Sequence, residues 1–219
     1  MPGRTPSAPR CAAIVGPYLT GKTTLLEALL HTCGAIHRRG TVKDGNTVGD
    51  ASPEARNHNM STEISAASAE FLGERWSFLD CPGSVEFMQD TYSALKVADV
   101  AVVVVDPEPE RAHAVQPLLH FLDENDIPHM IFINKVDHAH VPVQAVLESL
   151  QGASSRPLIL RHVPIRKDDR IEGYVDLVSE RAYAYKPGES SDLIEIPESM
   201  QDANNQARQG LLEELSNFD

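Results

Sequence analysis

Gly16-Pro17-Tyr18-Leu19-Thr20-Gly21-Lys22-Thr23 is the stretch on which the reading of the fold turns. Before it stand five apolar residues of strand length, Cys11–Val15. After it, Leu25, Leu26, Leu29 and Leu30 recur at helical spacing until Gly34 ends the run. The octapeptide fits G-x-x-x-x-G-K-[ST], and a strand before it with a helix behind it is the setting that gives the pattern meaning. Backbone N–H groups in such a loop close around a β-phosphate, Lys22 reaches the β/γ oxygens, and the Thr23 hydroxyl binds Mg²⁺.

Outward from this loop the chain alternates. Residues 35–59 are polar, contain three glycines and show no period, which is too long for an inert connection and reads as a functional or mobile loop. Strands are expected around Glu63–Phe71 and Arg75–Leu79, with Gly73-Glu74 as the hairpin turn between them. A helix follows over Val85–Val97, then Ala101–Val105 (AVVVV), a strand buried on both faces. Pro117 suits the first turn of a helix ending near Asn125, Met130–Ile133 is a second buried strand, and a helix covers Val143–Leu150. This order predicts an α/β fold: a P-loop NTPase with a mainly parallel sheet, one antiparallel hairpin strand and helices on both faces. Beyond a Gly-Ala-Ser-Ser-Arg junction near 152–156 come short strands in Pro157–Ile165 and Ile171–Tyr185, then a polar amphipathic helix from Met200, forming a small α+β subdomain. The expected organisation is a disordered lead-in over 1–10, a nucleotide-binding domain over 11–152 and a second subdomain over 153–219.

The 219 residues carry 19 Lys and Arg against 32 Asp and Glu, a formal net charge of −13. Phosphate repels such a surface, which argues against a protein that coats free nucleic acid. Three cysteines, Cys11, Cys33 and Cys81, have no metal-ligand spacing and cannot all pair, which points to a reducing compartment. The N-terminal ten residues have no apolar core of a signal peptide, and no stretch approaches 18 apolar residues, so the expectation is a cytoplasmic, monomeric chain that makes no contact with membrane.

Two further motifs give the loop a partner. Asp80-x-x-Gly83 stands at a strand end, where Asp80 would hold Mg²⁺ through water and the Gly83 N–H would bind a γ-phosphate. Asn134-Lys135-Val136-Asp137 follows the strand MIFI. A carboxylate at its fourth position accepts from N1–H and the 2-amino group of guanine, a pair of donors adenine lacks, so the base is guanine. Other features read as structure: Cys81, Trp76 and Tyr92 as packing residues, Asp123–Asp126 as a solvated helix end, and His138-Ala139-His140 as solvated histidines.

With the three motifs in order, the chain resembles the translational GTPases, and within them elongation factor G. GPYLTGKTTL, FLDCPGSVEF, VVVVDPE…AVQP and FINKVD carry the likeness, and Pro157–Tyr185 resembles the start of the insert peculiar to elongation factor G. The resemblance implies GTP/GDP and Mg²⁺ as cofactors, with Gly16, Pro17, Tyr18, Leu19, Thr20, Gly21, Lys22, Thr23, Thr24, Asp80, Gly83, Asn134, Lys135 and Asp137 binding nucleotide and Thr23, Ser61 and Asp80 around the metal. Lys22, Gly83 and Ser84 take the catalytic positions. It implies a factor acting on the ribosome in translocation or recycling, its insert facing the ribosomal stalk.

Three departures stand out. The family's RGITIT switch is replaced by His58-Asn59-Met60-Ser61-Thr62-Glu63, where Ser61 falls at the metal-ligating threonine position and Thr62 is one register away. DTPGH is replaced by Asp80-Cys81-Pro82-Gly83-Ser84, so a serine stands where the family orients water with histidine, and slow hydrolysis is expected. The alternative reading is a regulatory paralogue that binds GTP with little or no hydrolysis. The last guanine motif, a Ser-Ala loop, is not found, since Ala153-Ser154-Ser155 follows a helix, and the chain is expected to be the N-terminal part of a longer protein.

Overall fold

The computed structural model describes residues 10–49, 52, 54–55, 60–139, 141–167 and 170–218. These residues form two compact units. The first runs to Asp106 and takes in Ala114–Asn134; the second combines Pro107–His113 with the chain from Lys135 onward. The junction expected at 152–156 falls within the second.

In the first unit five strands, β1 (Arg10–Val15), β2 (Ser65–Phe71), β3 (Glu74–Asp80), β4 (Val100–Val105) and β5 (His129–Ile133), form a sheet in the order β2-β3-β1-β4-β5. All neighbours are parallel except β2, which returns antiparallel on β3. This is the expected α/β architecture. The alternation of β1 and β4 explains its two-sided core. Ala12, Ile14 and Val104 meet Leu26 and Leu30 of α1 (Lys22–Thr32) together with Phe78. The intervening Ala13, Val15 and Val103 are fully buried from the other side, as are Leu95 of α2 (Met88–Leu95) and Leu119 and Leu122 of α3 (Gln116–Glu124). Gly34 closes α1 in a Schellman arrangement: its N–H donates to His31 O and that of Ala35 to Leu30 O.

Several expectations need correction. Arg10 belongs to β1, not to a lead-in; it pairs with Glu74 at 2.7 Å and lies over the Trp76 ring. The rest of the proposed lead-in lies outside the described residues. A 3-10 turn, Val85–Phe87, precedes α2, because the Phe87 N–H closes on Ser84 O. Among the described residues β5 pairs with β4 alone, and Met130 is 49% exposed, so the strand is not buried on both faces. Asp123 is buried, not solvated, with the His129 imidazole 3.9 Å away.

The second unit carries a four-stranded antiparallel sheet, β6 (His162–Lys167), β7 (Arg170–Asp176), β8 (Arg181–Ala184) and β9 (Asp192–Ile194), in sequential order, with α4 (Val143–Gln151) and α5 (Gln201–Leu215). Val163 and Leu177 pack with Leu211 of α5. Pro157–Arg161 is not a strand. The side chain of Gln151 takes the Leu158 N–H at 2.7 Å and gives its own amide to Arg156 O at 3.0 Å, so this backbone is satisfied without a sheet partner.

The β2–β3 turn is Leu72-Gly73, one residue before the expected Gly73-Glu74, because Glu74 already pairs with Phe71. Both turn residues have positive φ, +53° and +77°, the arrangement of a type I′ hairpin. Leu72 is 85% exposed and gains nothing there to offset its left-handed backbone. Leu72→Asn should therefore stabilise the protein by about 1 kcal/mol. An upward shift of the urea midpoint at constant slope checks this; an unchanged or lower midpoint contradicts it.

Candidate nucleotide site

In the first unit the site is built at the carboxyl ends of β1, β3 and β5. β1 leads to a strand on one side of it and β4 to a strand on the other, and a ligand crevice opens where connections diverge in this way. The chain leaves β1 through Gly16–Gly21 and turns into α1 at Lys22. Tyr18 and Leu19 are exposed at the loop tip, whereas Thr20, Lys22 and Thr23 are buried, and Thr24 faces solvent. Thr20 Oγ1 and Lys22 Nζ both donate to Pro17 O, at 3.0 and 2.9 Å, so the loop carries its lysine folded back over its own backbone.

Gly16, Gly21 and Gly83 are fixed by left-handed backbone or close approach, Gly16 lying against the backbone of Val104. Gly21 has φ +92°, and a Cβ there would lie 2.4 Å from Asn134 Nδ2, whose amide donates to Thr20 O at 2.8 Å. Asn134 is fixed in turn at the end of β5 by its N–H to Val105 O. A Cβ on Gly83 would lie 2.4 Å from Lys22 Nζ and 2.8 Å from Gly16 O. The Asp80–Gly83 turn therefore rests directly on the phosphate loop. Thr91 of α2 holds it from behind through a hydrogen bond to Pro82 O.

Asp80 is 1% exposed at the end of β3, and Thr23 Oγ1 donates to its Oδ2 at 2.7 Å. Ser61 Oγ lies 3.3 Å from Thr23 Oγ1. Three hard oxygen donors thus converge, one carboxylate and two hydroxyls. Mg²⁺ takes such a set when substrate phosphates and water complete its octahedron. The donors fit that ion. Cys81, next in sequence, continues the ladder from β3 to Ile14 O and is fully buried. Burial first, then the Asp80 carboxylate, pushes its thiol up to about 12, so it stays protonated and inert. Ser84 is half-buried and begins the 3-10 turn without a capping hydrogen bond from its side chain.

Lys135 and Asp137 belong to the second unit. Lys135 is left-handed, φ +53°, and opens a 3-10 turn, Val136–His138, closed by His138 N–H to Lys135 O at 2.9 Å. The Asp137 side chain is 70% exposed, with His138 Nε2 3.4 Å away. His58, Asn59 and His140 lie outside the described residues.

Three residues at the site carry no motif. Glu27 is buried on α1, and its carboxylate receives the N–H groups of Gly40 at 2.7 Å and Val48 at 2.5 Å. It thereby ties both ends of the 40–48 segment to the helix. Gly49 follows directly and lies against Asp80 and Thr23, its carbonyl accepting from Ser65 Oγ. The one sequence signal for this arrangement is a charged residue beside Leu26 on the helix face that should be apolar.

A family model for the elongation factor Tu GTP-binding domain matches residues 8–207. The chain is 49% identical over 210 residues to an elongation factor G-like protein of Synechocystis sp., covering 96% of this chain and 31% of that protein. It is 32% identical over 168 residues to elongation factor G 2 of Streptomyces coelicolor, covering 77% and 24%. With elongation factor G of Mycoplasma pneumoniae the identity is 27% over 201 residues, covering 91% and 29%. A crystal structure of a Thermus thermophilus protein superposes with a TM-score of 0.88 at 32% identity, covering 96% of this chain and 31% of that one. The chain thus spans less than a third of the length of these relatives. With a phosphate loop and a buried Asp80–Thr23 pair on a mainly parallel sheet, it belongs to the elongation factor Tu GTP-binding domain family of translational GTPases.

Proposed function

We propose that this chain binds Mg²⁺ with GTP or GDP and hydrolyses GTP slowly, as the nucleotide domain of an elongation factor G-like factor acting on the ribosome in translocation or recycling. The convergence of Thr23, Ser61 and Asp80 beside Lys22 carries this reading. Bound Mg²⁺ would neutralise charge on the β- and γ-phosphates. Thr23 and Ser61 would hold it through their hydroxyls and Asp80 through water. Lys22 would exchange Pro17 O for phosphate oxygens, a small swing of a side chain already in place. The Gly83 N–H would hold the γ-phosphate, and Asp137 would read N1–H and the 2-amino group of guanine. The names of the relatives support a ribosomal partner and a cytoplasmic setting; the residues beyond about 153 are the part we assign to the elongation factor G-type insert, and to contact with the stalk.

Asp137→Asn removes a charge-assisted pair of hydrogen bonds, which should lower GDP affinity ~10- to 100-fold and raise that for xanthosine diphosphate, whose extra carbonyl matches an amide donor. Isothermal titration with both nucleotides gives the ratio; an unchanged ratio removes Asp137 from the base site.

In phosphoryl transfer the protein mainly positions the attacking water and neutralises charge. Ser84 is short and has no cationic form, so from this backbone position it does neither as an imidazole would. Ser84→His should speed ribosome-stimulated phosphate release by ~100-fold or more, with nucleotide affinity nearly unchanged. A wild-type rate already equal to the variant's would mean another group orients the water.

A further inference from the structure

The exposed carboxylate of Asp137 depends for its aim on the backbone of the turn that bears it, and that turn is held from the sheet of its own unit. Arg166 on β6 donates through one guanidinium nitrogen to Val136 O at 3.1 Å and through the other to Ala139 O at 3.4 Å. These carbonyls stand on either side of Asp137. Ala139 N–H also closes on Val136 O at 3.2 Å, so one fork braces the whole 3-10 turn. The guanidinium suits this task. It is planar, carries its donors at fixed spacing and remains charged, whereas a lysine ammonium is a single point.

The partner strand β7 is irregular opposite Arg166. Ile165 pairs with Gly173, but Arg166 pairs with Ile171, so Glu172 is the extra residue of a β-bulge. The bulge lies on β7, and the alternation of β6 is kept, so Ile165 and Arg166 point to opposite faces of the sheet. Here Ile165 stays in the small core with Val175 and Ala182, while Arg166 reaches the turn, beside which β7 also runs. Lys135 enters the turn in a left-handed conformation, strained for a non-glycine residue, and the two charge-assisted hydrogen bonds from Arg166 offset that strain.

We propose that Arg166 is a positioning residue for guanine recognition: from β6 it clamps the carbonyls of Val136 and Ala139 and so fixes the direction in which Asp137 presents its carboxylate. The proposal rests on the reading of Asp137 as the group that recognises the base. It makes base selectivity a property of the second unit's sheet as well as of the NKVD turn, and gives a perturbation of that sheet a route to nucleotide affinity.

The test compares Arg166→Met, which keeps length without donors, and Arg166→Lys, which keeps charge without the fork. GDP and inosine diphosphate, which lacks the 2-amino group, are titrated against each. Arg166→Met should lower GDP affinity ~10-fold and inosine diphosphate affinity less, so that discrimination shrinks. Amide exchange at His138 and Ala139 should speed up in parallel, and Arg166→Lys should fall between. Unchanged discrimination, or an equal loss for both nucleotides with lowered stability alone, would overturn the clamp. Asp137→Asn in the same series separates the two failures. If it shifts preference to xanthosine diphosphate while Arg166→Met leaves discrimination intact, only the clamp is wrong. If Asp137→Asn shifts nothing, the base reading fails and the clamp's role in it falls too.

Discussion

The hydrogen bond from Thr23 to Asp80 joins the start of α1 to the end of β3 across 57 positions of chain, and the first unit is organised around it. A carboxylate this deeply buried costs several kcal/mol to desolvate unless charge-seeking donors surround it. Its position follows from the sheet. β1 and β3 run in parallel with Ile14 opposite Asp80, so the carboxylate stands at the end of the sheet from which the phosphate loop departs two residues later. Gly83, two residues past Cys81, must then meet Lys22 and Gly16, which leaves no room for a side chain. The fold and the site are therefore one constraint seen twice.

Much of this was legible in the sequence, because short-range chemistry writes itself locally. A run of apolar residues, a glycine loop and a leucine period announced β1, the phosphate loop and α1, and the ends of β3 and β5 announced Asp80 and Asn134. What escaped depends on pairing at a distance. Nothing local says that Glu27 receives the amides of Gly40 and Val48, or that Gln151 satisfies the backbone at Arg156 and Leu158. Asp123 looked like a solvated helix end and is buried beside His129. The Leu72-Gly73 turn was misplaced because leucine is a poor residue for a left-handed backbone, so register won over propensity.

The second unit shows the same limit more strongly. Its strands were legible as a style of sequence, apolar and β-branched between polar turns, but their bounds were not. The β6–β7 bulge is invisible until the register is known, since Glu172 differs in no obvious way from its neighbours. The loop from Gly40 to Gly49, polar and without period, is ordered by a helix side chain and a serine hydroxyl as well as by its own Thr41, Asp44 and Asn46.

The central claim is that this chain binds a guanine nucleotide in preference to an adenine one. The most direct measurement is displacement of a fluorescent GDP from the protein in Mg²⁺ buffer by GDP and by ADP. A site built to accept from the guanine edge should need ~100-fold or more ADP than GDP for equal displacement. Equal potency of the two would contradict the account.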